Sequence, residues 1–375
     1  MPHMTSRERI FAALDFHPPD QLPCHEMFWD DTIPTWQQQG MPADVHPSDY
    51  FGLDVAWMYL DTSPQCPQRQ LRREGGYITY QDRYGCTITK PIDKSGSLDF
   101  RHHVTTDRNA WDKLKPRLTL SPDPNAPARI DDASYFAHMD PYPDWPTAQR
   151  KYRALRDTNR YVLFRAYGPW NAAWRHRGME QLMMDLIESP DWVQDMAETY
   201  QSLVIAILQK CLDLGMRPDG FIMFEDLGWK KSMLISPQAW RSYLLPSVQR
   251  VGQFLRDNRI DFWTHSDGAI EPIIDDLIEC GLKLLNPLET AAGLNVVEMR
   301  RRYGRRLAFW GNIAVKNMLG PQEALRAEIH QKVPIARQGG YIFGSDHSIP
   351  PQVRFERYRW MLAEARACFL ATTRD

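Results

Sequence analysis

Polar residues able to bind a metal or move a proton recur in this chain at the ends of short apolar runs. They are His25-Glu26, Asp61, Arg165 with Tyr167, Glu225-Asp226, His265-Ser266-Asp267, Asn286 with Glu289, Asn312, and Asp346-His347. His265 and Asp267 stand two apart, so on extended chain both point the same way and can reach one ion. With Glu225 or Asp226 and with His347 they form a set of nitrogen and oxygen donors suited to zinc, manganese or iron. A hydrogen-bonded His–Asp pair at a loop is the plainer meaning of the same spacing. Glu225 and Asp226 are adjacent, hence on opposite faces of a strand, and one of them looks inward. Crowded carboxylates push one pKa up, which makes Glu225, Asp226 and His347 candidate acid–base groups. Arg165 closes a strand, where its guanidinium can clamp a substrate carboxylate or serve a structural ion pair. His25, Glu26, Tyr167, Trp170, Asn286, Asn312 and Asp346 stand as candidate substrate contacts, with Trp29, Trp57 and Trp263 as aromatic wall. No Gly-x-Ser-x-Gly elbow offers an acyl-transfer serine.

The elements that must position these residues read as alternating strands and helices. Strands are expected at Leu22–Glu26, Val55–Asp61, Tyr161–Ala166, Phe221–Asp226, Asp261–His265, Lys283–Asn286, Leu307–Asn312 and Tyr341–Ser345. Thr5 with Glu8 forms a capping box ahead of Ile10, Phe11 and Leu14. Ser189-Pro190-Asp191 and Ser236-Pro237 open further helices, the first stopping at Gly215. Eight strands, mostly followed by helices, predict a (β/α)8 TIM-type barrel, in which working residues sit at the C-terminal strand ends. A doubly wound open sheet is the alternative, but no Gly-x-Gly-x-x-Gly turn follows an early strand, and no phosphate-cradling loop is present. Residues 62–150 hold ten of the 28 prolines, a hairpin pattern (Tyr77–Tyr80, Cys86–Thr89) and a Pro/Asp-rich stretch from Ser121 to Pro146. They read as an excursion from the barrel, of the kind that lids or walls a substrate site, within one domain spanning 1–375.

Composition narrows the classes. Lys and Arg number 45 against 47 Asp and Glu, a net charge of −2, which disfavours nucleic acid as the main partner. No apolar run approaches the roughly 18–20 residues that span a bilayer, and the N-terminus lacks a signal-peptide core. The six cysteines are scattered without a Cys-x-x-Cys pair, so zinc ribbons and cysteine-bound clusters are excluded and a reducing cytoplasm is expected. Cys24 and Cys280 read as buried thiols.

Several blocks together resemble the uroporphyrinogen decarboxylase-like superfamily. They are Thr5-Ser6-Arg7-Glu8-Arg9, Asp20-Gln21-Leu22-Pro23, Pro218-Asp219-Gly220-Phe221, Glu225-Asp226-Leu227-Gly228, His265-Ser266-Asp267-Gly268, Leu285-Asn286-Pro287-Leu288, Trp310-Gly311-Asn312 and Phe343-Gly344-Ser345-Asp346-His347-Ser348-Ile349-Pro350. The resemblance implies a barrel, commonly a homodimer, with its site at the mouth. One branch decarboxylates uroporphyrinogen through an arginine-rich N-terminal segment, which this chain replaces with Cys24-His25-Glu26-Met27-Phe28-Trp29. The other branch contains corrinoid-linked methyltransferases whose zinc sits on a His-x-Cys pair and a later Cys. His265 matches that histidine, while Asp267 and Ser345 stand where the cysteines belong. What the resemblance implies is therefore a methyltransferase or demethylase of the second branch with harder donors, His265, Asp267, Glu225 or Asp226, and His347. Its cofactor would be a divalent metal, zinc first. It would move a methyl group from a small methylated or methoxylated substrate to a corrinoid protein or a tetrahydrofolate-like acceptor. The alternatives are a carboxy-lyase acting on a tetrapyrrole-like or aromatic carboxylate, and a metal- or corrinoid-binding accessory protein.

Overall fold

The computed structural model describes residues 3–92, 98–132 and 142–371. Among the described residues there are twelve strands: β1 (Val55–Leu60), β2 (Arg69–Glu74), β3 (Tyr77–Gln81), β4 (Thr87–Pro91), β5 (Asp99–His102), β6 (Ile130–Asp131), β7 (Tyr161–Tyr167), β8 (Gly220–Phe224), β9 (Asp261–His265), β10 (Leu282–Asn286), β11 (Ala308–Ile313) and β12 (Tyr341–Ser345). Strands β1 and β7 to β12 pair in parallel in that order, with helices covering the outside. This is a (β/α)8 TIM-type barrel. Seven of the eight expected strands form, at nearly the expected bounds.

The eighth expected strand, Leu22–Glu26, is corrected. It closes the barrel as an extended stave with a single bridge, Cys24 to Phe343, and no regular ladder. His25 N donates to Phe343 O (3.0 Å) and Phe343 N to Pro23 O (2.8 Å) on the β12 side. Toward β1, Cys24 N donates to the Asp54 carboxylate instead (2.8 Å), while Asp54 N returns to Cys24 O. A side chain thus takes the place of a backbone acceptor, and Pro23 has no N–H to extend the ladder.

Helix signals read as expected where they are local. Thr5 and Glu8 form the capping box of the helix Ser6–Leu14. Ser236 Oγ accepts from Ala239 N, and the helix then passes through a π-type turn at Trp240–Leu244 before continuing to Asp257. The helix Pro190–Asp213 buries Val193, Met196, Tyr200, Leu203, Ile207, Leu208 and Cys211 on one face. No helix among the described residues is long and apolar enough to cross a membrane.

The excursion contains the expected hairpin, β3 against β4, inside a four-stranded antiparallel sheet with β2 and β5 and a small core of Tyr80, Cys86 and Ile88. Part of the Ser121–Pro146 stretch lies outside the described residues. This sheet leans on the helix Pro169–Arg177 at the end of β7, where Phe100 meets Trp174 edge to face (5.0 Å).

Register decides what faces the barrel interior. Tyr59, Arg165, Ile222, Trp263 and Leu284 lie side by side in one layer, and Tyr167, Phe224, His265 and Asn286 in the next layer toward the C-terminal mouth. Phe164, one residue out of phase, packs on Tyr152 of the outer helix Trp145–Asp157, so these two layers face inward. On β1 the outward Ala56, Met58 and Leu60 are buried, whereas the inward Trp57 and Tyr59 keep partial exposure. Arg165 is likewise the only partly exposed residue of β7. A filled barrel buries its interior side chains; this one is open inside along β1 and β7.

Candidate active site at the barrel mouth

The ends of β8 and β9 bring Asp226, His265 and Asp267 together, with one donor atom from each lying within 4.8 Å of the others. His265 Nε2 stands 3.7 Å from Asp226 Oδ1 and 3.8 Å from Asp267 Oδ1. Those separations are too long for hydrogen bonds and close to the span of two donors on one ion at bonds of about 2.0–2.2 Å. Asn286 sets the imidazole. Its amide nitrogen donates to Trp310 O (3.0 Å), so its oxygen is left for His265 Nδ1 at 2.5 Å. His265 therefore carries its proton on Nδ1 and turns a lone pair at Nε2 toward the two carboxylates, the support that metal-binding histidines use. Asp267 Oδ1 is buried with no hydrogen-bond partner. Burial pushes the Asp267 carboxyl up to about 6, against the pull of His265 and with a further push from Asp226. An orphaned carboxylate oxygen, a second carboxylate and an oriented imidazole fit a hard divalent cation.

Two glycines make the cluster possible. Gly228 N donates to Asp267 O (3.1 Å), and a Cβ at Gly228 would come within 2.4 Å of that oxygen. Gly268, at φ +77°, presses on Gly228 from the other loop. The loops bearing Asp226 and Asp267 thus meet backbone to backbone. At the rim, His347 Nε2 lies 3.9 Å from Asp267 Oδ2, and its ring stacks on Trp29 (5.7 Å between centroids).

Glu225 is not brought into this group. Its carboxylate turns outward and accepts Trp170 N (2.8 Å) and Asn171 N (3.0 Å) at the start of the helix Pro169–Arg177. Burial outweighs those donors and pushes the Glu225 carboxyl up to about 8. Other residues of the expected ring are also taken up by scaffolding. Asn312 accepts from Val296 N and donates to Leu288 O and Leu294 O. Asp346 accepts from Thr290 N, the Thr290 hydroxyl and Val315 N. Asp61 holds Ser63, Gln65 and Arg83, and Glu289 accepts from Gly268 N. Glu26, buried and pushed up to about 8 by desolvation, lies 2.5 Å from the Ser345 hydroxyl, which in turn meets His347 O at 2.5 Å. With Glu26 protonated, both short contacts are satisfied: Glu26 donates to Ser345, and Ser345 to His347 O. Trp170 is fully buried on its helix, outside the barrel interior, and Tyr167 accepts a hydrogen bond from Arg175. Lys230 and Lys231 are solvated.

Deeper in the barrel, Arg165 lies over the face of Phe224, 3.4 Å from its centroid, and 5.3 Å from the Tyr59 ring. His265 stacks on Phe224 at 4.3 Å. Two groups that close to one centroid cannot share a face, so Phe224 is sandwiched between guanidinium and imidazole. Below, His25 packs between Trp57 and Trp310, 4.9 Å from each, with both ring nitrogens buried and without hydrogen-bond partners; burial lowers it to about 3, so it is neutral. Tyr59 and Phe224 escaped the sequence reading because their position depends on register between strands.

Fold and site together define a (β/α)8 barrel with a hard-donor cluster at its C-terminal mouth. Residues 138–368 match the family model described as uroporphyrinogen decarboxylase (URO-D), and the chain belongs to that family. Among solved structures it is similar to a methyltransferase from Methanosarcina mazei, with 16% identity over 96% of this chain and 98% of that one and a TM-score of 0.66. It is more distantly similar to a B12-independent methionine synthase from Shewanella sp. W3-18-1, with 9% identity, 95% of each chain covered and a TM-score of 0.44. At these identities the likeness is one of fold. No curated protein matches the chain.

Proposed function

We propose that the chain is a metal-dependent methyl-transfer enzyme, taking a methyl group from a small methylated or methoxylated substrate to a corrinoid-protein or tetrahydrofolate-like acceptor. The observation that carries this reading is the Asp226–His265–Asp267 cluster with its orphaned Asp267 oxygen. Bound there, a divalent ion such as zinc supplies Lewis-acid polarisation of an oxygen ligand. Asn286 holds His265 in the tautomer that donates a lone pair. Asp226 and Asp267 provide the negative charge that retains the cation, and no thiolate is among the donors. That choice favours an oxygen-bearing substrate over a thiol. His347, at the solvent edge beside Asp267, manages the proton of the departing heteroatom. The homodimer implied by the resemblance belongs to the same reading.

The test is elemental analysis of protein purified without chelator. About one divalent ion per chain is expected, lost in Asp226→Ala, His265→Ala and Asp267→Ala. Chains that take up no metal after supplementation would overturn the reading. Arg165, at the open barrel interior, favours a second one, a carboxy-lyase acting on an aromatic carboxylate. Carbon dioxide released without any methyl acceptor would select it.

A further inference from the structure

Arg165 is a cation enclosed by aromatic rings and without an acidic partner. Among the described residues no carboxylate lies within 4.0 Å of its guanidinium, although 25 ionic contacts of that kind are formed there by other Lys, Arg and His residues. Burial lowers its pKa, offset in part by the hydrogen bond that its guanidinium donates to the Tyr59 hydroxyl and by the longer-range charge of Asp226. None of its guanidinium nitrogens is both buried and without a partner, so the donors that Tyr59 leaves free open onto the barrel interior. Arg165 also sits where the barrel is open, in the same inward layer as partly exposed Tyr59 and beside partly exposed Trp57. It is the one cation among the inward-facing residues of the described barrel strands.

We propose that the barrel interior along β1 and β7 binds the anionic end of the substrate on Arg165, and that the substrate is a small organic monoanion with a flat apolar body. A single interior cation matches one anionic group, unlike the several carboxylates of a tetrapyrrole. Trp57 and Tyr59, both partly exposed on β1, supply flat apolar surface. Phe224, held between Arg165 and His265, sets the distance from the anion site to the donor cluster at the thickness of one sandwiched ring. A molecule carrying its anionic group and its reacting group at opposite ends of one aromatic ring spans that distance. The inference rests on the mouth being the substrate site, and it does not rest on the metal.

Isothermal titration with 4-methoxybenzoate and with its neutral isostere 4-methoxybenzamide tests it, in metal-loaded and in chelated protein. Wild type should bind the acid at least tenfold more tightly than the amide in both forms, the order expected for a charge-assisted bidentate pair. Arg165→Gln should bring the two affinities together, and Arg165→Lys should keep part of the preference. Metal stoichiometry should be unchanged in both variants, so a failure here is separate from a failure of the metal reading. The thermal midpoint of Arg165→Gln should be unchanged or raised, whereas a merely structural arginine would lower it. Absent binding of the acid, equal binding of acid and amide by wild type, or a preference that survives Arg165→Gln overturns the proposal.

Discussion

The two sides of the barrel mouth carry similar residue types and use them differently. On the β10 to β12 side, Asn312, Asp346 and Glu26 are buried and fully engaged in holding loops to strand ends. On the β7 to β9 side, Asp226 and Asp267 are partly exposed, Asp267 keeps a buried oxygen without a partner, and Arg165 has no carboxylate. The difference teaches that a polar residue at a strand end is only a candidate. What separates a working group from a brace is hydrogen-bonding capacity left unused.

Substitutions should break the two sides in different ways. The largest effect belongs to Asn312→Ala, which strands Val296 N, Leu288 O and Leu294 O and puts alanine at φ +73°. It should lower stability by about 3–5 kcal/mol in urea unfolding, with metal uptake per folded chain unchanged. Asp267→Asn should do the reverse, weakening metal binding by about 100-fold or more with little change in thermal midpoint. Glu26→Gln sharpens the contrast through pH. The folded carboxyl near 8 holds a proton that the unfolded chain has released above about 4.3, so Glu26 makes stability fall as pH rises through that window. Wild type should lose on the order of 4 kcal/mol from this group between about pH 5 and about pH 9, and Glu26→Gln none of it. The smallest effect is expected from Asn286→Ala, roughly tenfold in metal affinity, because it frees the His265 ring without removing a donor. A tenfold loss from Asn286→Ala that equalled the loss from Asp267→Asn would erase the distinction between donor and support.

Much of the barrel was legible because its strands are apolar on both faces and their neighbours carry local helix signals, as at Thr5 and Glu8 or Ser236 and Pro237. The stave at Leu22–Glu26 was legible as extended chain but not as an irregular closure, since its acceptor is the side chain of Asp54, thirty residues away. Parity told that only one of Glu225 and Asp226 looks inward. Which one required the register that sets Phe224 beside His265, and register belongs to strand pairing rather than to either segment. Arg165 is legible as a strand-end cation, yet nothing local distinguishes a clamp from an ion pair. Only the missing partner does that.

The stave that closes the barrel comes from the N-terminus and docks on the last strand, with Glu26 meeting Ser345 across 319 residues. During synthesis, then, the residues bearing Asp226, His265 and Asp267 emerge long before the chain can complete the cylinder around them. Contacts of such separation carry the highest ordering cost and form late. His347 and Trp29, which meet only across this seam, should accordingly be the last pair to come together when the protein folds and the first to part when it opens.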